Sequence, residues 1–141
     1  MSCPYFYPVE ARSGSPMLPL GELWAGECMA APGAAQPQGH TCCNMGYARG
    51  LCQNFPDGDG PDAARFTISS FNNSRHAGAA LGIQYVLERD HLPFAHGRLD
   101  YSSQAGGFAQ APPSGTLARQ AQAYAESFLR RKKESGWKEN Q

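Results

Sequence analysis

The clearest alternation of apolar and polar side chains lies near the middle of the chain. In Arg65-Phe66-Thr67-Ile68-Ser69-Ser70-Phe71 the two kinds partly alternate, and in Leu81-Gly82-Ile83-Gln84-Tyr85-Val86-Leu87 the residues Leu81, Ile83, Tyr85 and Leu87 fall on one face. A period of two predicts strands, and the polar stretch Asn72 to Gly78 between them predicts the turn of an antiparallel pair. Asp90-His91-Leu92-Pro93 reads as a second turn, followed by a short third strand over Gly97 to Tyr101. From about Thr116 to Glu134 the period becomes helical, with Leu117, Ala121, Tyr124, Ala125, Phe128 and Leu129 forming one apolar stripe. Ser114 or Thr116 can cap its start, Arg130 to Lys133 suit the negative end of the helix dipole, and Gly136 suits a left-handed stop. Two or three strands alone are marginal in water. The helix is therefore expected to cover them within the same chain, with Tyr124 and Phe128 at the centre of the contact.

The first 62 residues break this pattern. They hold eight of the eleven prolines and nine of the sixteen glycines, so 17 of 62 positions are breakers and mostly loops are expected. A chain of 141 residues with 41% hydrophobic side chains supports one modest core. The fold class that follows is α+β in a single domain spanning 1–141. Its parts are a loop-rich region over 1–62, β-strands over 63–101, a linker over 102–115, a helix over 116–135 and a tail over 136–141.

A long loop region inside a compact domain calls for something to organise it. All five cysteines of the chain lie in the first 52 residues and none in the strands or helix. Metal–thiolate bonds supply cross-links where buried apolar surface is scarce. The spacing is Cys3-x24-Cys28-x14-Cys43-x8-Cys52. It lacks the paired C-x2-C knuckles of zinc ribbons and fingers. Ligands arriving from separate loops suit a cubane, so the expected cofactor is one 4Fe-4S cluster held by Cys3, Cys28, Cys43 and Cys52; a structural zinc on the same residues is the alternative. Cys3 precedes Pro4, as ligand cysteines do in ferredoxin-type runs, and Gly46 and Gly50 permit close backbone approach to cluster sulfurs.

Adjacent side chains diverge, so only one of Cys42 and Cys43 is expected to face a shared metal, and Cys43, opening the turn-prone Asn44-Met45-Gly46, is preferred. Cys42 and His40 are the alternative ligands. Arg49 lies in the ligand loop, where a cation offsets thiolate charge, although an ordinary surface arginine accounts for it too. Tyr5, Phe6, Tyr7, Leu18, Leu20, Leu23, Trp24, Tyr47 and Phe55 are expected to wrap the site. The competing account makes each cysteine a small buried hydrophobe.

Charge narrows the partners. Twelve basic and twelve acidic side chains give no net charge, which makes no electrostatic case for nucleic acid. No apolar run reaches the roughly 20 residues of a membrane span, and the start lacks the basic and apolar regions of a signal peptide, so no membrane association and a cytoplasmic location are expected. Thiols stay reduced there, which favours metal over disulfides. His76, His91 and His96, with Glu88 and Asp90 nearby, do not assemble an evident acid–base pair, and no phosphate or dinucleotide loop is present. The expectation is electron transfer or redox sensing rather than enzymatic turnover, with a redox or other protein partner, either alone or as one subunit of a larger complex. Zinc would instead make the chain a protein-interaction module.

Overall fold

The computed structural model describes residues 1–14, 18–31, 41–56, 58, 60–74 and 78–134. Two antiparallel sheets and a long helix make it a mixed α+β domain. The first sheet pairs β1 (Phe6–Gly14) with β2 (Glu22–Cys28). A short helix, α1 (Thr41–Met45), follows. The second sheet is a meander of β3 (Ala63–Ser74), β4 (Gly78–Arg89), β5 (Leu92–Ser102) and the two-residue β6 (Gly107–Phe108). Helix α2 (Gly115–Glu134) ends the described chain.

The second sheet follows from its pattern. Leu81, Ile83 and Tyr85 of β4 lie opposite Tyr101, Leu99 and Gly97 of β5, and Gly97 leaves room for the Tyr85 ring. Phe66 and Ile68 of β3 pair with Tyr85 and Ile83, and a register shift after Ile68 takes up the double serine that interrupts the alternation. The β4–β5 turn is made by Asp90 and His91, both at positive φ (51° and 62°), so the turn anticipated at 90–93 is a two-residue one and the third strand starts at Leu92 rather than at Gly97.

The loops expected over 1–62 are only part of that region. Pro8 and Gly26 read as breakers, yet both sit in the β1–β2 pair: the ladder shifts register just after Pro8, and a Cβ on Gly26 would run into the backbone of Tyr7 and Pro8. Counting breakers hides a sheet in which they serve.

Helix α2 begins where Ser114 caps it, its hydroxyl accepting the Leu117 N–H at 3.1 Å. Gly136 lies outside the described residues. The helix touches both sheets. Tyr124 stacks on Phe66 with ring centres 5.8 Å apart, and Phe128 meets Phe71 edge-on at 5.4 Å, so the stripe covers the second sheet as expected. A second face, built on Gln120, Ser127 and Arg130, reaches the first sheet: Ser127 Oγ donates to Glu22 at 2.7 Å and Arg130 Nε to the same carboxylate at 3.1 Å. One core joins all three layers, including Phe6, Leu20 and Trp24 from the first part, Leu81, Ile83 and Leu99 from the sheet, and Leu117 and Ala121 from the helix. Among the described residues no helix is long and apolar enough to cross a membrane.

Candidate metal centre

Cys3, Cys28, Cys43 and Cys52 line one apolar cavity, together with Tyr5, Phe6 and Phe55. They arrive from four different places in the chain, and none of the four is disulfide-bonded. Cys3 lies just ahead of β1, Cys28 ends β2, Cys43 sits in α1, and Cys52 lies in the turn beyond it. Cys3 is buried, whereas the other three are partly exposed.

Each thiol is carried on backbone that is tied down locally. The Cys3 N–H donates to the Cys43 carbonyl at 2.9 Å, which joins two of the four segments directly. Ser2 and Ala64 exchange backbone hydrogen bonds at 2.7 and 2.8 Å, so the residue before Cys3 is an extra rung on the second sheet. Cys28 pairs with Phe6 across the first sheet, and the Met29 N–H donates to the Tyr5 carbonyl at 2.8 Å.

Helix α1 is too short to hold itself in place. Asn44, 1% exposed, holds it: Oδ1 accepts the Trp24 N–H at 3.0 Å and Nδ2 donates to the Trp24 carbonyl at 3.0 Å. The side-chain amide thus completes the β2 backbone much as a neighbouring strand would. This fixes α1 so that its next-door neighbour Cys43 faces the cavity. Gly46 and Tyr47 then reverse the chain at positive φ (76° and 54°), and a Cβ on Gly46 would press on Met1 O and Ala63 Cβ. The Leu51 and Cys52 amides both donate to the Ala48 carbonyl, at 2.9 and 2.8 Å, which closes the Cys52 turn. Those two amides are therefore committed to the turn rather than to sulfur.

Arg49 Nε donates to the buried Asp62 at 2.6 Å, and its guanidinium sits 4.8 Å from the centre of the Phe55 ring. Its charge serves the loop anchor. Asp62 also accepts the Asp90 N–H at 2.9 Å; that bond first, and then the Arg49 one, hold its carboxyl below the usual aspartate range. Beside it Tyr47 donates to the buried Glu88 and stacks on His91 at 4.1 Å. Burial, then the hydrogen bond to the Glu88 carboxylate, push the Tyr47 phenol up to about 12. This polar network braces the Gly46–Cys52 loop from outside the cavity.

The cavity is small, about 20 Å³. Among the described residues, no three His, Cys, Asp or Glu side chains form a group able to grip a single metal ion as they lie. His40 and the Cys42 side chain lie outside the described residues, as does His76. Neither His91 nor His96 lines the cavity. Of the aromatic and aliphatic residues expected to wrap it, Tyr5, Phe6 and Phe55 do so, Leu20 and Trp24 belong to the core beneath, and Tyr47 belongs to the Glu88 network.

Sequence reasoning misses the braces. Asn44 and Ser2 carry no periodic signal; Gln120 does, since it lies three residues after Leu117 and four before Tyr124, a polar side chain among buried positions of the helix. No family model matches this chain, and no curated protein and no solved structure matches it either.

Proposed function

We propose that this is an iron–sulfur protein in which Cys3, Cys28, Cys43 and Cys52 hold one 4Fe-4S cluster for electron transfer or redox sensing. The observation that carries the reading is the convergence of these four thiols, from four separate segments, on one apolar cavity. The spacing, which lacks the paired C-x2-C knuckles of zinc ribbons and fingers, favours the cluster over a structural zinc.

Such a cluster supplies reversible one-electron chemistry. The residues around it do the rest. Tyr5, Phe6 and Phe55 exclude water from the sulfurs, which together with the charge of the site sets its potential. The partly exposed Cys28, Cys43 and Cys52 would bring the centre within reach of a redox partner at the surface.

Protein purified without oxygen should be brown, with broad absorption near roughly 400 nm from thiolate-to-iron charge transfer, bleached by a strong reductant and recovered on reoxidation. A colourless protein carrying one equivalent of zinc would make the chain a zinc-organised interaction module instead.

A further inference from the structure

Gln120 makes three buried hydrogen bonds at the foot of the cysteine cavity, and they connect helix α2 to the segment that carries Cys3. Its Nε2 donates to the Cys3 carbonyl and to the Phe6 carbonyl, each at 2.7 Å, and its Oε1 accepts the Ser2 hydroxyl at 2.7 Å. The side chain is 0% exposed and lies more than a hundred residues away in sequence from the groups it binds. Two carbonyls converging on one amide nitrogen define the loop Cys3 to Phe6, whose own closing bond runs from the Phe6 N–H to the Cys3 carbonyl at 3.1 Å. From these contacts we infer that Gln120 is a positioning residue for the metal centre: it holds the Cys3 thiol in the ligand set, so that the packing of α2 governs how tightly the centre is retained.

The chemistry needs a primary amide of this length. Only Asn and Gln offer two N–H donors and an acceptor on a neutral planar group. A carboxylate would set its oxygens against two carbonyl oxygens, and a thioether would take both N–H donors from the Cys3 and Phe6 carbonyls and the acceptor from the Ser2 hydroxyl. Cys3 is also the most buried of the four thiols lining the cavity, so its release depends on opening this clamp, while the other three thiols hang on β2, α1 and the Ala48–Cys52 turn.

The inference rests on the cluster reading for its consequence but not for its test. In the full-length protein as isolated without oxygen, each cysteine is labelled with iodoacetamide over time and the modified peptides are quantified for wild type, Gln120→Met and Ser2→Ala. Ser2→Ala removes only the hydroxyl that orients the amide, and it provides the answer should Gln120→Met fail to fold. Cys3 is expected to label roughly tenfold faster in Gln120→Met, from loss of all three buried hydrogen bonds, and by a smaller factor in Ser2→Ala. Cys28, Cys43 and Cys52 should stay within about twofold of wild type in Ser2→Ala, where the other anchors are untouched. Variants that retain a centre should lose iron and sulfide faster on challenge with a chelator. Unchanged Cys3 labelling, or an equal rise at all four cysteines, would overturn the positioning role. A wild type that holds no iron, sulfide or zinc would refute the cluster reading alone, since the labelling pattern would still report on the clamp.

Discussion

At the scale of single residues, the candidate centre depends on polar side chains that act on the backbone rather than on a metal. Asn44 satisfies both backbone groups of Trp24, and burying those groups without it costs about 1–3 kcal/mol for each one left unpaired. Asn44→Ala should therefore destabilise the protein by about 2–4 kcal/mol in urea titration and release Cys43 from its place. A cost within error of zero would show that α1 is held by something else. Tyr47 gives a pH signature. Its phenol is raised in the folded protein to about 12, against about 10 in an unfolded chain. The stability it contributes is fully present below about pH 10 and is lost as pH climbs towards about 12. Tyr47→Phe should lower stability at neutral pH and flatten the decline over that alkaline window. Equal slopes for the two proteins would rule out the Glu88 hydrogen bond as the cause. None of these roles can be read from the sequence, because a lone Asn or Tyr in a loop has no period and its partner lies 20 or 41 residues away.

At the scale of elements, what can be read and what cannot divide by periodicity. The strand β4 and the helix α2 repeat their apolar residues at 2.0 and 3.6, and β3 does so up to its double serine, and their cores are where the pattern puts them. The first sheet has no such repeat. Pro8, Gly26 and two register shifts break the alternation of β1 and β2, and their pairing is supported instead by Asn44 and by α2 packing on top. Helix α2 is legible on only one side. Its apolar stripe announces the contact with β3 and β4, but the second face works through Ser127 and Arg130, which resemble solvent-facing residues in sequence, and through Gln120, whose place between Leu117 and Tyr124 is its one signal. The stripe itself makes a simple prediction. Tyr124 and Phe128 touch Phe66 and Phe71, and burial of each is worth up to about 1.5–3 kcal/mol. Replacing both by Ser should lower the thermal midpoint in one cooperative transition while leaving the metal content of the folded fraction unchanged. A double variant that melts like wild type would mean that the stripe serves a contact with another chain.

At the scale of the whole molecule, the second sheet and α2 form a back to which the cysteine-bearing segments are tied: Ser2 to β3, Cys3 and Phe6 to α2, Asp62 and Tyr47 to the β4–β5 turn. The grouping of cysteines is legible because five thiols crowded into a breaker-rich third of the chain, with none in the periodic strands or helix, point to one shared role, and the cavity gathers Cys3, Cys28, Cys43 and Cys52. Cys43, preferred because it opens the turn-prone Asn44-Met45-Gly46, lines the cavity, while the Cys42 side chain lies outside the described residues. Cys28→Ala and Cys52→Ala should accordingly lose the metal and much of the order of the first part of the chain, whereas Cys42→Ala should keep both. Loss of metal in Cys42→Ala with retention in Cys43→Ala would reverse that assignment.

The most direct measurement is the iron, acid-labile sulfide and zinc content per chain of protein isolated without oxygen. A single cubane predicts about four irons and four sulfides with zinc well below one equivalent. One zinc with no sulfide would contradict the cluster, and a folded protein with neither metal would contradict the claim that these four cysteines form a metal centre at all.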